Sequence, residues 1–136
     1  MSRDQIIDQL KRYFEACSTR LVAAYLFGSA ARGQQGPDSD VDVGIVEARR
    51  GPPSLADLDR QARIQSELET LLGRDVDLVS LDGAAPDLLH RVLVDRVLLH
   101  DGNPEQRIEF EIQARNAYFD IAPHLEQYRR IVLARA

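Results

Sequence analysis

Two short segments of this 136-residue chain alternate aspartate with aliphatic residues, and this alternation constrains the fold more than any other feature. DVDVGIV spans residues 40–46 and DVDLVSL spans residues 75–81. Because successive side chains of a strand point to opposite faces of a sheet, each segment predicts a strand with one apolar and one acidic face. The chain therefore needs a sheet that buries one set of side chains and leaves the acids accessible.

The remaining elements are predicted from periodicity, helix caps and turn residues. In chain order they are a helix over residues 3–16 capped by Ser2, a buried strand over residues 21–28, a helix that Ser54 begins and Gly73 ends, a short helix from Pro86, an edge strand closed by Asp101 and Gly102, and a long helix from Pro104 that bends or stops at Pro123. This order predicts an α/β chain of the α+β type, with a mixed sheet of about four strands and helices packed on one face. The other face would be open for a site.

Composition limits the range of partners and locations. The net charge of −5, from 22 acidic and 17 basic residues, argues against an extended nucleic-acid surface. A single cysteine, Cys17, cannot form an internal disulfide, and the sequence contains neither a signal-peptide pattern nor a membrane-length apolar run. We expect a cytoplasmic protein without a membrane partner.

The length favours one domain over residues 1–136, with a core at about 20–101 and a C-terminal helical segment at about 104–134. That final helix carries two apolar stripes, one of Ile108, Ile112 and Phe119 and the other of Phe110, Ala114, Ala117 and Ile121. One stripe is enough to dock on a core. The second indicates either contact with another chain, as a homo-oligomer or hetero-oligomer, or a helix packed on both sides.

A calcium loop is one possible interpretation of the first acidic segment. Asp38, Asp40 and Asp42 alternate as at the start of such a loop, but Val43 and Arg49 occupy the positions that require glycine and glutamate. The calcium interpretation therefore fails, and Asp38 is expected to be a surface charge. Glu47 is also expected to be a surface charge.

A phosphate-binding P-loop is a second interpretation. Gly28 and Gly33 follow a strand with the required gap, yet Gln34 and Gln35 stand where lysine and a hydroxyl residue must be. The P-loop interpretation fails as well.

A two-metal site for nucleotidyl transfer fits the acids best. Asp40 and Asp42 point to the same side of one strand, and Asp77 on a neighbouring strand can supply a third carboxylate. Such a group can hold two Mg²⁺ ions about 4 Å apart, which steady the charge on a nucleotide's phosphates. Asp40, Asp42 and Asp77 are therefore the predicted catalytic and metal-binding residues.

The corner that precedes the acids supplies the features of a phosphate site. Gly28 permits close approach of the backbone to a triphosphate, Ser29 offers a hydroxyl and an N–H at a short helix start, and Arg32 adds a positive charge. These three are the predicted nucleotide-binding residues, although a loop arginine is as often simply solvated.

Gly28-Ser29, ten residues, then Asp40-Val41-Asp42 resembles the signature of the DNA polymerase beta-like nucleotidyltransferases. Residues 21–101 resemble the minimal nucleotidyltransferases that accompany HEPN-domain proteins in prokaryotic toxin-antitoxin pairs, and the tail does so more loosely. The resemblance implies Mg²⁺, ATP as substrate, and Asp40 and Asp42 as metal ligands. In that family two apolar residues follow the third acid, which favours Asp77 and leaves Asp75 as the alternative.

Three functions remain open at this point. The first is an antitoxin that transfers AMP from ATP to a hydroxyl, expected to be a tyrosine, of a cognate HEPN toxin, since the chain has no length left for an acceptor domain. The second is an antitoxin that occludes its partner without catalysis, through Phe110 and Phe119 of the last helix. The third is a transferase for a small molecule. The base of the nucleotide, the acceptor residue and the number of transfers are not encoded in these motifs.

Overall fold

The computed structural model describes residues 1–17, 20–36 and 39–134. In these residues four strands form one sheet, and helices pack around it. In chain order the elements are α1 (Arg3–Ala16), β1 (Ala23–Phe27), α2 (Gly28–Ala31), β2 (Val41–Val46), α3 (Leu55–Leu72), β3 (Val76–Ser80), α4 (Pro86–Asp95), β4 (Val97–Asp101) and α5 (Pro104–Ala134). Asp38, expected to be a surface charge, lies outside the described residues.

The sheet is mixed, as predicted, and its strands lie in the order β3-β2-β1-β4. β1 pairs antiparallel with both β2 and β4, whereas β2 and β3 are parallel. A parallel pair needs a crossover connection, and α3 supplies it. The end of β1 and the beginnings of β2 and β3 therefore meet at one end of the sheet, while β4 forms an edge.

Local sequence explains where two of the helices begin and end. Ser2 and Gln5 form a reciprocal capping box ahead of α1, and Ser54 and Asp57 form another ahead of α3. Gly73 ends α3 in the left-handed conformation with φ of 65°. These boundaries confirm the ones predicted from the caps.

Helices cover both faces of the sheet, so the prediction of helices on one face alone was wrong. α1 and α3 pack on the face that includes Ala24 and Leu26. α4 and α5 pack on the opposite face, around Tyr25. The reason lies in β1, whose five residues are all apolar and all buried, so neither of its faces tolerates exposure to water.

Helix α5 continues through Pro123 to Ala134, so of the two expectations for the proline, a bend or a stop, the stop was wrong. The ring of a proline removes one backbone hydrogen bond inside a helix, but Pro123 is exposed and water can bind the freed carbonyl. Although α5 is 31 residues long, neither it nor any other helix in the described ranges has the apolar stretch needed to cross a membrane.

The two stripes of α5 have different surroundings. Ala114 is buried and Phe110 is partly buried against the core cluster around Tyr25. Ile108 and Ile112 are each 50% exposed and Phe119 is 61% exposed. The stripe that contains Phe110 and Ala114 therefore docks α5 on the sheet. The stripe of Ile108, Ile112 and Phe119, hereafter the exposed α5 stripe, faces outward.

Candidate active site

The predicted site residues meet at the sheet end where β1 stops and β2 and β3 begin. Phe27, the last residue of β1, pairs with Asp42, and Asp42 pairs in parallel register with Asp77. Neighbouring strands are about 4.8 Å apart, and residues in register point to the same face. Asp42 and Asp77 are therefore adjacent carboxylates on the α4 side of the sheet.

Asp40 and Asp75 lie just outside the strands. Asp40 precedes β2 and is exposed, whereas Asp75 precedes β3 and its backbone carbonyl accepts a 3.0 Å hydrogen bond from the amide of Val41. The acidic charges that act on Asp42 are those of Asp77 and Asp40. The geometry thus places Asp77, rather than Asp75, beside the acidic pair.

Burial raises the pKa of the Asp42 carboxyl above its ordinary value, and the neighbouring charges of Asp77 and Asp40 raise it further. Arg91 and Arg32 act in the opposite direction and lower it. The two arginines do not cancel the other effects, so the negative charge at Asp42 is only partly compensated. A bound cation would compensate it.

The donor set suits magnesium, since all three side chains offer the carboxylate oxygens that this hard cation prefers. Within residues 1–17, 20–36 and 39–134, however, no three His, Cys, Asp or Glu side chains are gathered closely enough to hold an ion. The three carboxylates share one end of the sheet without converging on a point.

Gly28 turns the chain from β1 into the short helix α2 with φ of 74°. Its Cα lies against Asp42, so that a Cβ at this position would overlap Oδ2 of Asp42. Ser29 follows in α2, half-buried, and its backbone carbonyl accepts a 2.8 Å hydrogen bond from the amide of Gln34. The corner is thus held directly beside the acids.

Arg32 caps the C-terminal end of α2 and is tied to α4. Its Nη1 donates a 2.6 Å hydrogen bond to Oδ2 of Asp95, and its Nε donates a 3.3 Å bond to Oε1 of Gln34. The side chain is close enough to Asp42 to lower the pKa of that carboxyl, but part of its donor capacity is already used. Sequence reasoning gave no sign of Asp95.

Arg91 of α4 is a charged residue near the acids that sequence reasoning missed. It is exposed, and its charge lowers the pKa of Asp42. No motif identifies it, because its proximity to the acids depends on how α4 packs beside α2. The spacing of apolar residues in α4 predicted which side of the helix is buried. It did not predict that the polar side of α4 lies beside α2.

Glu47, expected to be a surface charge, is instead a structural acid. Its side chain is only 6% exposed and accepts hydrogen bonds from Arg60 and Gln61 of α3. It follows β2 at the end of the sheet opposite to Asp42, so it holds α3 in place and takes no part in the acidic site.

A cavity of about 390 Å³ lies at that opposite end of the sheet. Val46, Leu81 and Phe110 are among its lining residues, and none of the predicted site residues is. Val46 is four residues along β2 from Asp42, which corresponds to about 13 Å of strand. The cavity and the acidic site are therefore separate places.

A mixed sheet with a glycine-serine corner at the end of one strand, and aspartates in register on the next two, defines a nucleotidyltransferase-type site. Comparison with protein families agrees, since residues 5–105 match the family described as Polymerase beta, Nucleotidyltransferase. The chain belongs to this nucleotidyltransferase family, which confirms the resemblance seen in the sequence.

Two relatives in sequence carry related names. A putative protein adenylyltransferase from Methanocaldococcus jannaschii is 40% identical over 74 residues, covering 54% of this chain and 74% of that protein. The protein adenylyltransferase MntA from Shewanella oneidensis is 28% identical over 116 residues, covering 84% of this chain and 75% of that protein.

Solved structures extend the comparison to the fold. The structure of a putative minimal nucleotidyltransferase matches with a TM-score of 0.57 at 33% identity, covering 71% of this chain and 95% of that one. A chain from the structure of a tri-AMPylated Shewanella oneidensis HEPN toxin in complex with MNT antitoxin matches with a TM-score of 0.63 at 20% identity, covering 97% and 96%. The predicted mixed-sheet nucleotidyltransferase fold is confirmed.

Proposed function

We propose that this protein is an antitoxin that transfers AMP from ATP to a tyrosine hydroxyl of a cognate HEPN toxin. The observation that carries the proposal is the register of Asp42 with Asp77 beside the Gly28-Ser29 corner. Both relatives in sequence are named protein adenylyltransferases, and one structural neighbour contains an AMPylated HEPN toxin with an MNT antitoxin. These names favour AMP over other nucleotides and a protein over other acceptors.

In this proposal the first turn of α2 binds the triphosphate. Gly28 and Ser29 present backbone N–H groups to phosphate oxygens, and the serine hydroxyl adds a further donor. The glycine leaves room for Asp42 next to the phosphates, so the reacting phosphorus and the acids are held together. Proximity of this kind is itself a large part of catalysis.

The reaction is an in-line substitution at the α-phosphorus. The acceptor oxygen forms a bond to that phosphorus, the bond to the oxygen that bridges the α- and β-phosphates breaks, and pyrophosphate leaves with the bonding electron pair. The proton of the acceptor hydroxyl passes to water. Two Mg²⁺ ions, held by Asp40, Asp42 and Asp77, would supply charge compensation on the phosphates and a lowered pKa of the attacking hydroxyl.

In this proposal a second protein carries the acceptor, since the described elements around the acids are the sheet and its covering helices. The exposed α5 stripe offers an apolar surface for the protein that carries the acceptor. Recognition through α5 and chemistry at Asp42 would then act on one bound partner.

Co-expression with the cognate toxin tests the proposal. Mass spectrometry of the toxin should show AMP-sized additions with the wild-type protein and none with the double variant Asp40→Asn, Asp42→Asn. An unmodified toxin beside a folded wild-type protein would refute the transfer, as would additions that survive in the double variant.

Neutralisation by occlusion is the second candidate, and the exposed α5 stripe is the observation that favours it. It predicts that the double carboxamide variant still protects cells from the toxin, whereas a charge introduced in the stripe does not. The transfer hypothesis predicts the loss of protection in both cases.

A further inference from the structure

Helix α4 packs against three different neighbours, and these contacts fix its rotation. Leu89 and Val92 are buried against the sheet. The ring of His90 stacks on Tyr118 of α5, with centroids 3.6 Å apart and planes at 4°. Asp95 binds Arg32 at the end of α2. The polar side of α4 that carries Asp95 is therefore turned toward α2.

Arg91 lies on that same side. It precedes Asp95 by four residues, and side chains with this spacing share one helix face about 6 Å apart along the axis. Val97, two residues after α4 ends, pairs with Leu26 near the end of β1, so the last turns of α4 lie at the acidic end of the sheet. α2 has only four residues and is about 6 Å long, so the side of α4 that faces it also lies near Gly28 and Ser29.

Electrostatics agrees with this position. Among the positive charges that lower the pKa of Asp42, Arg91 has a larger effect than Arg32. An exposed guanidinium acts on a carboxyl in this way only at short range, because salt and water screen longer interactions. Arg91 is therefore close enough to the acidic site for its charge to act on Asp42.

The two arginines also differ in what they are free to bind. Arg32 donates to Asp95 and Gln34. Within the part of the chain that the structure describes, Arg91 has neither an ion-pair partner nor a hydrogen-bond acceptor. A guanidinium presents a planar pair of donors that matches phosphate oxygens, and Arg91 has this fork available.

We propose that Arg91 binds the β- and γ-phosphates of the nucleotide across the Gly28-Ser29 corner and stabilises the charge of the departing pyrophosphate. The proposal rests on the proposed nucleotidyl transfer. Arg91 stays protonated throughout, so it exchanges no proton with the substrate. Its effect is electrostatic and grows as the bond to the bridging oxygen breaks, since negative charge then accumulates on the leaving group.

Binding measurements separate this role from a structural one. Titration calorimetry in the presence of Mg²⁺ would compare a non-hydrolysable ATP analogue with AMP, which lacks the β- and γ-phosphates. Arg91→Ala should weaken binding of the analogue by about 10- to 100-fold, the range for a lost charged hydrogen bond, and change AMP binding by less than about twofold. Arg91→Lys keeps the charge without the fork and should be intermediate.

Arg63→Ala is the matched control. Arg63 is an exposed arginine of α3, a helix on the opposite face of the sheet, and its loss should change neither affinity. Thermal unfolding of all variants should match that of the wild type.

The outcomes distinguish the two proposals. Equal affinity of the wild type and Arg91→Ala for the analogue would overturn the role of Arg91 and leave the transfer proposal standing. An equal loss of affinity for the analogue and for AMP would overturn the role of Arg91 as well. A normal affinity for the analogue combined with lost transfer would also overturn it, and would place Arg91 at the acceptor instead. A wild-type protein that binds no ATP analogue would overturn both proposals.

Discussion

Gly28 packs so closely on Asp42 that a Cβ at position 28 would overlap Oδ2 of the aspartate. The backbone of Gly28 also has φ of 74°, a conformation that side chains disfavour. Two independent requirements therefore fall on one residue. The turn out of β1 and the position of the first in-register carboxylate are set together, before any nucleotide is bound.

We predict that Gly28→Ala lowers both stability and AMP transfer. The left-handed backbone alone costs about 1–2 kcal/mol for a non-glycine residue, and the new methyl group must in addition displace the Asp42 carboxylate. Urea unfolding and the toxin modification assay would measure the two effects.

Gly83→Ala is the control for this variant. Gly83 has φ of 72°, but nothing lies within 4 Å of the Cβ that alanine would add. Gly83→Ala should lower the free energy of unfolding by the same backbone cost, and it should retain normal AMP transfer. Equal activity of the two variants would contradict a specific role for the contact between Gly28 and Asp42.

The second prediction concerns Asp42 and pH. Burial and the charges of Asp77 and Asp40 raise the pKa of Asp42 above its unfolded value. Between those two pKa values the folded state binds more protons than the unfolded state, so this carboxyl makes the protein less stable as pH rises through that window, and the cost persists at neutral pH. Asp42→Asn should therefore stabilise the protein at pH 7 when a chelator is present.

Thermal unfolding with EDTA and with excess Mg²⁺ would check this. Added Mg²⁺ should raise the melting temperature of the wild type more than that of Asp42→Asn, since the carboxamide is a poorer ligand. Asp59→Asn, at an exposed position of α3, is the control and should behave as the wild type does. If Asp42→Asn were less stable than the wild type in EDTA, the negative charge of Asp42 would not be destabilising in the folded protein.

The third prediction separates the two aspartates of β3. Asp77 is in register with Asp42, whereas Asp75 precedes the strand. Asp77→Asn should reduce transfer by about two orders of magnitude, which corresponds to a loss of about 2.7 kcal/mol of metal-assisted stabilisation. Asp75→Asn should stay within a few-fold of the wild type. Single-turnover rates with saturating ATP would measure this. A larger loss in Asp75→Asn would exchange their roles.

The shared face of Asp42 and Asp77 could be predicted from the sequence, because the side chains of a strand alternate with a period of two whatever the tertiary structure is. The corner could be predicted because a glycine and a serine at a strand end are local features. Asp95 and Arg91 were missed since their relation to the site depends on the packing of α4 beside α2, and nothing local encodes that packing. The packing of α4 and α5 on the second face of the sheet was also missed. The hydrophobic sequence of β1 did indicate that both faces of this strand are buried.

Glu111 gives the fourth prediction. This buried residue of α5 accepts hydrogen bonds from Tyr25 at 3.0 Å, from Arg107 at 2.6 Å and from Arg96. Burial raises the pKa of Tyr25 to about 12, so its hydroxyl remains a donor at neutral pH. Glu111→Ala should destabilise the protein by about 3 kcal/mol, because it leaves the partners of a buried acid without an acceptor.

Glu109→Ala serves as its control. Glu109 is an exposed neighbour on α5 that accepts one hydrogen bond from Gln113, and its loss should cost no more than about 0.5 kcal/mol. Urea unfolding would compare the two. Similar values for both variants would mean that the network around Glu111 does not hold α5 on the sheet.

The last prediction uses the two sides of α5. The occlusion hypothesis drawn from the sequence used both Phe110 and Phe119 for contact with the partner, but Phe110 packs on the core whereas Phe119 is exposed. Phe119→Glu and Ile112→Glu should leave the free energy of unfolding within about 0.5 kcal/mol of the wild type, as expected for exposed positions, while weakening association with the toxin. Phe110→Glu should instead lower the free energy of unfolding by about 1–3 kcal/mol, because it places a charge at a partly buried position packed on the core. Analytical ultracentrifugation of the mixed proteins would measure association, and unchanged association of the two exposed variants would assign the partner surface elsewhere.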